Sequence, residues 1–326
     1  MKNIFITGGA GYVGAMLTPY LLDREYVVTV YDLMIYGEDV LCKHKNLKII
    51  KGDIRNKQLL KKSLIGQDVV IHLACISNDP SFELNPKLGK SINLDSFEPL
   101  VELSQQAKIK RFIYASSSSV YGIKKNKNVD ENMSLEPLTD YSKFKALCER
   151  ILLKYNSENF TTIILRPATV CGYSKRQRLD VVVNIFTNLA YHKRKIDILG
   201  GDQLRPNIHI EDMIRVYNLL IDAPKKKVSG EIFNVGHHNH TLKELAVIVK
   251  KNIGKDVLLE TAQTNDNRSY HISSNKIKEK LGFITKKNIR DAVLDLKNAF
   301  DNNLLPNSLT DEKYFNIKTM NKITLV

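Results

Sequence analysis

Several features that mark membrane, secreted or metal-binding proteins are missing from this chain of 326 residues. No apolar run approaches the roughly 18 residues that a membrane-spanning helix needs. The 4 cysteines contain no C-x-x-C pair, so we expect reduced thiols and neither a disulfide framework nor a bound metal. Internal repeats and low-complexity tracts are absent as well, which excludes repeat architectures and biased, disordered chains.

We expect no secretion signal, because Met1-Lys2-Asn3 leads directly into an apolar, strand-like stretch. We therefore expect a cytoplasmic protein without a signal peptide. What is present is ordinary for a globular protein, with 43% hydrophobic and 26% charged residues. The length favours about two domains and leaves enough chain for a substantial core.

The formal net charge of +14 is strongly positive and raises the possibility of nucleic-acid binding. The lysines are scattered, however, and short runs such as residues 225–227 have no interleaved aromatic residues. We therefore expect no nucleic-acid partner and interpret most of the charge as solvated surface, in a protein whose substrate is a small anion.

The strongest motif is GGAGYVG at residues 8–14, which follows an apolar strand and opens a helical pattern. Gly8 lets the chain leave the strand sharply, Gly11 lets the backbone approach a pyrophosphate, and Gly14 lets the helix lie close to the strand. The N–H groups at the start of that helix then face the phosphates. The residues of this turn predicted to bind a dinucleotide are Gly8, Gly11, Tyr12 and Val13.

Asp32 closes the next strand-like run and lies where a dinucleotide-binding unit carries its acid. A carboxylate at this position accepts hydrogen bonds from a ribose 2′-hydroxyl and repels a 2′-phosphate, so NAD is the predicted cofactor. The alternative is a tight turn that binds no ligand.

Strand-like and helical runs alternate through the first half of the chain, which predicts an α/β fold with a doubly wound parallel sheet of Rossmann type. After residue 167 the alternation becomes irregular and predicts a smaller C-terminal α/β region. Ligands of such sheets bind beyond the carboxyl ends of the strands. The predicted strands are 4–6, 27–31, 47–50, 69–74, 111–115, 161–165 and 231–235, and the predicted helices include 57–65, 96–108, 140–156, 181–191, 242–251, 275–281 and 289–300.

Tyr141 and Lys145 are four residues apart near the start of a predicted helix, so they share one helix face. An ammonium one turn away stabilises a phenolate, which makes the pair suitable for moving a hydroxyl proton. The serine-rich segment 116–122, SSSSVYG, follows the fifth predicted strand. A hydroxyl there can stabilise a substrate oxygen whose charge changes during hydride transfer.

On these motifs the chain resembles the extended short-chain dehydrogenases/reductases of the NAD-dependent epimerase/dehydratase family, which act on nucleotide sugars. The resemblance covers about residues 1–300. Beyond the glycine turn, Asp32, the serine segment and the Tyr141…Lys145 pair, it rests on Asp53-Ile54, His72-Leu73-Ala74, Asn93, Arg166-Pro167, Arg205-Pro206, His209 and Asp212.

The resemblance implies roles for individual residues. Tyr141 would be the acid/base, Lys145 would also hold the nicotinamide ribose, and Ser117 would supply the active hydroxyl. His72 and His209 would be structural. Further cofactor contacts are implied for Asp53 and Ile54 at the adenine and for Leu73 and Ala74 along the cofactor, and substrate contacts for Ser117, Asn184, Arg205 at the diphosphate, and Arg268.

Departures from the family's patterns narrow the expected reaction. Its 4,6-dehydratases carry Asp-Glu directly after the active hydroxyl, where this chain has Ser118 and Ser119; a related 3,5-epimerase often carries Cys at the second position. We therefore predict an NAD-dependent nucleotide-sugar epimerase that acts at sugar carbon 4 through a transient 4-keto intermediate. One alternative is a dehydrogenase/reductase that forms or reduces a 4-keto sugar, and another is a non-catalytic dinucleotide sensor. Tyr121, Tyr173 and residues 175–178 are expected to shape the choice of reaction.

The resemblance also implies a homodimer through the helices near residues 96–108 and 140–156, and a place in polysaccharide biosynthesis. The predicted NAD-binding domain comprises residues 1–172 with about 207–235. The predicted nucleotide-sugar-binding domain comprises residues 173–206 and 236–326. Residues 301–326 show no clear periodicity, and no role is predicted for them.

Overall fold

The computed structural model describes residues 1–77, 79–126, 128–264 and 269–322. Within these ranges the strands are β1 (Asn3–Thr7), β2 (Val27–Asp32), β3 (Leu47–Lys51), β4 (Val69–His72), β5 (Arg111–Ala115), β6 (Thr161–Pro167), β7 (Thr169–Cys171), β8 (Lys195–Leu199), β9 (Leu204–His209), β10 (Glu231–Val235), β11 (His238–Thr241) and β12 (Leu258–Ala262). The helices are α1 (Gly14–Leu22), α2 (Lys57–Ser63), α3 (Asp79–Glu83), α4 (Pro86–Lys90), α5 (Phe97–Gln106), α6 (Asp140–Lys154), α7 (Val182–Lys193), α8 (Ile210–Asp222), α9 (Lys225–Val228), α10 (Leu242–Ile253), α11 (Asn275–Leu281), α12 (Ile289–Asp301) and α13 (Asn316–Lys322).

The central sheet has seven strands in the order β10-β6-β5-β4-β1-β2-β3, and its neighbouring strands are all parallel. The strand order changes direction between β1 and β4. From β1 the chain adds β2 and β3 on one side, and it then returns to add β4, β5 and β6 on the other side. Such a reversal opens a crevice at the carboxyl ends of the strands. The predicted doubly wound parallel sheet is therefore confirmed.

Alternating side chains of each central strand enter the cores on opposite faces of the sheet. Ile4 and Ile6 pack into a cluster with residues of α1 and α8, whereas Phe5 packs into a second cluster with residues of α2, α5 and α6. Both faces are thus covered, which is why these strands are nearly continuous apolar runs.

A smaller region follows the central strands, as the sequence predicted. It holds the three-stranded sheet β11-β9-β7, the pair β12-β8, and a third apolar cluster built mainly from α7, α10 and α12. The short strands β7, β8, β11 and β12 were not predicted, because none of them contains the continuous apolar run that marks most of the central strands. The predicted domain boundaries stay a prediction. No helix among the described residues is both long and apolar enough to cross a membrane.

Candidate active site

A cavity of about 550 Å³ lies at the carboxyl ends of the central strands. Its wall includes most of the residues predicted for cofactor and substrate binding, namely Gly8, Gly11, Tyr12, Val13, Asp32, Ile54, Leu73, Ala74, Ser117, Tyr141, Lys145 and Arg205. Distant segments of the chain therefore meet at the place that the fold class predicts.

The glycine turn leaves no space for side chains at its closest contacts. Gly8 has φ +74°, and a Cβ atom there would lie 2.6 Å from the backbone nitrogen of Ala74. A Cβ at Gly14 would lie 2.5 Å from the Cα of Gly9, whereas one at Gly11 would meet only the Gly8 carbonyl oxygen, at 3.2 Å. The turn thus packs tightly against β4 and α1 but leaves Gly11 open to the cavity, an arrangement that suits a dinucleotide diphosphate.

Asp32, the last residue of β2, is held by two backbone donors. Its carboxylate accepts hydrogen bonds from the N–H groups of Ala10, at 3.0 Å, and Met34, at 2.8 Å. Burial raises the pKa of Asp32, while these two N–H groups and the charge of Arg176 counteract that rise. The carboxylate is therefore fixed on the cavity wall in the position expected for a ribose acceptor.

The Tyr141–Lys145 pair lies on α6, which begins with a capping box formed by Thr139 and Ser142. Lys145 is 5% exposed, and its Nζ donates to the carbonyl oxygen of Ala115 at 2.7 Å. That Nζ lies 5.7 Å from the centroid of the Tyr141 ring. A buried ammonium beside a cavity-facing phenol is the arrangement that proton transfer by the phenol requires.

Ser117 follows β5 and lines the same cavity. Its Oγ lies 2.8 Å from the Oγ of Ser119 and accepts the N–H of Ser119 at 3.1 Å. Ser116, one residue earlier, instead donates to the buried carboxylate of Glu149. Both serines line the cavity, but the hydroxyl of Ser116 is used by a buried carboxylate, whereas that of Ser117 contacts the serine segment itself.

A buried ion pair, which sequence reasoning did not identify, anchors this corner. Glu149 of α6 pairs with Arg166 of β6 at 2.6 Å, and both side chains are nearly inaccessible. Arg166 also donates to the hydroxyl of Tyr121 at 2.7 Å, which in turn donates to Asn234 at 2.7 Å. These contacts link the serine segment to the helix that carries Tyr141, so they hold the two predicted catalytic segments together.

The predicted substrate and adenine contacts occupy different surroundings. Arg205 of β9 lies on the cavity wall, with its Cζ 5.7 Å from the centroid of the Tyr270 ring. Asp53 lies outside the wall and pairs with Arg55 at 2.6 Å. Asn184 is fully buried and accepts the N–H of Gly172 at 3.0 Å. Arg268 lies outside the described residues, and the roles of all these side chains stay predictions.

The basic loop, residues 173–178, also reaches the cavity. Arg176, Arg178 and the following Asp180 contribute to the wall, and Asp180 pairs with Arg178 at 2.8 Å. The sequence indicated that this stretch shapes the reaction, but it did not show which side chains turn inward.

The C-terminal tail, residues 302–322, also reaches the cavity. Leu305 and Tyr314 pack into an apolar cluster with Leu179 and with residues of α12. This docking places Ile317 and Met320 of α13 on the cavity wall. The only sequence signal for the contact is a few apolar residues without a period, which cannot identify a docking site.

One cluster of potential metal ligands lies away from the cavity wall. Ligand atoms of His209, Glu211 and Asp295 all lie within 4.8 Å of one another. Nε2 of His209 contacts Asp295 at 3.0 Å, while Nδ1 accepts the N–H of Glu211 at the start of α8. The histidine thereby links α8 to α12, as expected of a structural residue.

Comparison with known proteins gives one family. Residues 4–236 match the NAD dependent epimerase/dehydratase family. A dTDP-D-glucose 4,6-dehydratase of Dictyostelium discoideum is 29% identical over 259 residues, which are 72% of this chain but only 58% of that protein. A UDP-glucose 4-epimerase of Lactobacillus helveticus is 26% identical, over 89% of this chain and 94% of that protein.

Solved structures show the same fold. A UDP-glucose 4-epimerase of Thermotoga maritima, crystallised with UDP-glucose, has a TM-score of 0.81 and 24% identity, and the match covers 93% of this chain and 99% of that one. A dTDP-glucose 4,6-dehydratase of Streptomyces venezuelae, with NAD bound, has a TM-score of 0.82 and 22% identity, covering 92% and 97% of the two chains. At these identities the similarity establishes the fold and leaves the reaction open.

Proposed function

The chain belongs to the NAD-dependent epimerase/dehydratase family, and from this premise we propose that it is a nucleotide-sugar 4-epimerase. Its cofactor is NAD. The proposal is based on which side chains line the cavity wall and which are missing from it. Ser117, Tyr141 and Lys145 are present there, whereas the two residues after Ser117, which would be acidic in a dehydratase of this family, are serines.

The residues on the wall suit the oxidation of a secondary alcohol and the reduction of the resulting ketone. NAD, when bound, accepts a hydride from the sugar and returns it. Tyr141 takes the proton of the sugar hydroxyl and later gives it back, and the ammonium of Lys145 stabilises the phenolate that forms in between. Ser117 hydrogen-bonds the substrate oxygen while its charge changes. Epimerisation results when the intermediate ketone turns over before it is reduced.

Loss of water from the sugar would require a further acid near the reacting carbon. Among the described residues of the wall, the carboxylates are those of Asp32 and Asp180. Asp32 accepts two backbone N–H groups. Asp180 pairs with Arg178 and accepts the N–H of Asn316 at 2.9 Å. Because both carboxylates already have partners, the wall supports epimerisation better than dehydration.

The direct test uses the purified protein with its own cofactor and a panel of UDP-, GDP-, dTDP- and CDP-sugars. NMR spectra of the products are recorded while NADH absorbance is followed. We expect one of these sugars to reach equilibrium with its carbon-4 epimer without a lasting NADH signal.

Each of the other outcomes would indicate a different function. Stoichiometric NADH with a keto product would indicate the dehydrogenase/reductase alternative, and a keto-deoxy sugar would indicate a dehydratase. Firmly bound NAD without turnover of any sugar would support a dinucleotide sensor. A sensor, however, has no need of Ser117, Tyr141 and Lys145 together.

The proposal includes a homodimer formed through α5 and α6. These helices pack against each other at one side of the central sheet, and Leu147 of α6 keeps 39% of its surface exposed. An exposed leucine on this helix pair suits a subunit contact. Light scattering should give twice the mass of 37.1 kDa that one chain has, and a monomer would contradict this part of the proposal.

A further inference from the structure

The basic loop contains a buried guanidinium that lacks an acidic partner. Arg176 is 4% exposed, and it forms no ion pair with any carboxylate of the described ranges. Its Nη2 donates to Oδ1 of Asn316 at 2.5 Å, and its Cζ lies 3.4 Å from the centroid of the Tyr36 ring. Within the described chain, its Nε has no hydrogen-bond partner. A buried charge in this state is costly, and an anion in the cavity would stabilise it.

The neighbouring arginine provides an internal contrast. Arg178 is also largely buried, but its Nε donates to Asp180 at 2.8 Å. The other oxygen of Asp180 accepts the backbone N–H of Asn316. The local carboxylate is therefore taken. Within the described residues, each arginine has one buried nitrogen without a hydrogen-bond partner, Nε of Arg176 and Nη2 of Arg178, but of the two it is Arg176 that has no ion pair. Burial lowers the pKa of Arg176 to about 10, and the nearby Tyr36 and Asp180 oppose that fall only in part.

The position of Arg176 indicates which anion it faces. Ser174, two residues earlier, donates to the carbonyl oxygen of Tyr12 in the glycine turn at 2.8 Å. The hydroxyl of Tyr12 donates in return to the carbonyl oxygen of Gly172 at 2.6 Å. The positive charge of Arg176 also acts on Asp32. Arg176 therefore lies on the cavity wall near the turn and the acid that are expected to hold the dinucleotide.

Asn316 of the C-terminal tail fixes this guanidinium across the cavity. Its side-chain oxygen accepts from Arg176, and its side-chain nitrogen donates to the hydroxyl of Ser77 at 2.8 Å. Ser77 follows β4, whereas Arg176 belongs to the basic loop. One buried amide thus joins these two segments, next to the tail residues Ile317 and Met320 that line the wall.

We propose that Arg176 is a ligand for the diphosphate of the bound dinucleotide and that Asn316 holds its guanidinium in place, so that the tail encloses the cofactor. An epimerase gains from such enclosure, because one cofactor molecule must serve both halves of each turnover. The diphosphate of a nucleotide sugar has the same chemistry as that of the dinucleotide. The test therefore uses probes for both ligands. The inference rests on NAD as the cofactor and not on the sugar reaction, so either can fail without the other.

The experiment measures binding to the full-length protein after its cofactor has been removed. Calorimetric titration with ADP-ribose reports the dinucleotide site, and titration with UDP and dTDP reports the nucleotide-sugar site. A charge-assisted hydrogen bond to a phosphate supports a difference of about 10- to 100-fold in affinity. We expect Arg176→Gln to weaken ADP-ribose binding by about that factor and to leave UDP and dTDP binding unchanged.

The matched control is Lys175→Gln, which removes the same charge from the adjacent, exposed position of the loop. We expect it to leave both titrations unchanged. The apo protein should unfold at nearly the same temperature with Arg176→Gln, since the lost contact with Asn316 is offset by removal of a buried charge.

Asn316→Asp tests the role of the tail without removing Arg176. The new carboxylate has the shape of the amide but would pair with the guanidinium, so ADP-ribose binding should weaken as it does in Arg176→Gln. Lys318→Gln, an exposed change on the same helix, should bind normally.

Three results would overturn the proposal. One is weaker binding of UDP or dTDP with normal ADP-ribose binding in Arg176→Gln, which would assign the anion to the substrate. Another is normal binding of both probes by a folded Arg176→Gln protein. The last is a pair of results. The apo Arg176→Gln protein unfolds at a much lower temperature, and a folded Asn316→Asp protein binds ADP-ribose normally. Together these would make Arg176 a structural residue.

Discussion

The glycine turn with its surroundings and the C-terminal tail line one cavity, yet different interactions hold them there. The turn, Asp32 and the Tyr141–Lys145 pair are placed by local structure, since each lies at a strand end or a helix start. The tail is placed by an apolar cluster between residues far apart in the chain, such as Leu179 and Tyr314. The site therefore has two parts. The local half comprises the glycine turn, Asp32 and the Tyr141–Lys145 pair, and the docked half comprises the tail, residues 302–322.

This difference suggests a division of labour. The local half holds the groups that the chemistry needs in fixed geometry, and the docked half encloses them. Contacts made by docking open more easily than a central sheet does. If the division holds, variants in the first half should abolish activity or folding, while variants in the second should alter cofactor exchange.

The largest effect is expected from Tyr141→Phe, which separates chemistry from binding in the local half. Loss of the proton-transferring hydroxyl should lower kcat by about 100- to 10,000-fold, while bound NAD remains at the level of the unaltered protein. Product formation and cofactor content are measured on the same preparation. Tyr155→Phe, a change just past the C-terminal end of the same helix, is the control and should keep full activity. Unchanged turnover with Tyr141→Phe would remove this residue from the mechanism.

Gly8→Ala tests whether the turn tolerates any side chain. The positive φ and the contact with Ala74 should together lower the free energy of unfolding by about 3 kcal/mol and impair NAD binding. Gly66→Ala is a matched control, because Gly66 has φ +76° but no atom within 4 Å of its Cβ position. That variant should cost only about 1 kcal/mol and bind NAD normally. Urea denaturation and NAD titration compare the two; equal losses would mean that the contact with β4 is unimportant.

Tyr314→Ala probes the docked half. Tyr314 is 4% exposed in the apolar cluster, and its carbonyl oxygen accepts the N–H of Leu179 at 2.9 Å. Loss of the ring should release the tail and speed NAD dissociation by about 10-fold, with a smaller effect on the unfolding temperature than Gly8→Ala. Stopped-flow chase with excess labelled NAD measures the rate, and the exposed Lys313→Ala serves as control. Unchanged dissociation would show that the tail does not restrain the cofactor.

The smallest expected effect is the pH dependence of the free energy of unfolding, which we attribute to a buried histidine in the core. Burial lowers the pKa of His72 from 6.5 to about 3, and its Nδ1 contacts the hydroxyl of Thr7 at 2.7 Å. Below pH 6.5 the unfolded chain binds a proton that the folded chain does not. The free energy of unfolding should therefore fall by up to about 1.4 kcal/mol per pH unit as the pH drops towards 3.

Urea denaturation at several pH values between 7 and 5 checks this dependence. His72→Gln should reduce the slope and leave the part that comes from His192, His237 and His240, whose pKa values burial also lowers. His44→Gln, at an exposed position, should retain the full slope. A slope that is the same in His72→Gln and in the unaltered protein would show that other groups are responsible.

The sequence predicted the local half residue by residue because strand runs, glycines and helix caps leave short-range patterns. All seven central strands were predicted, as was the convergence of Ser117, Tyr141 and Lys145 on one cavity. The pair of Glu149 and Arg166 could not be predicted, since residues on two different elements become partners only after folding. For the same reason the inward direction of Arg176 and the docking of the tail left no recognisable pattern.

The most direct test of the proposed reaction follows one deuterium atom. A nucleotide sugar labelled at carbon 4, chosen as the substrate that the panel identifies, is incubated with the purified, NAD-containing protein. We expect the carbon-4 epimer to form with its deuterium still at carbon 4 and no labelled NADH to enter solution. Deuterium in free NADH, or at another carbon of a released keto sugar, would contradict a 4-epimerase.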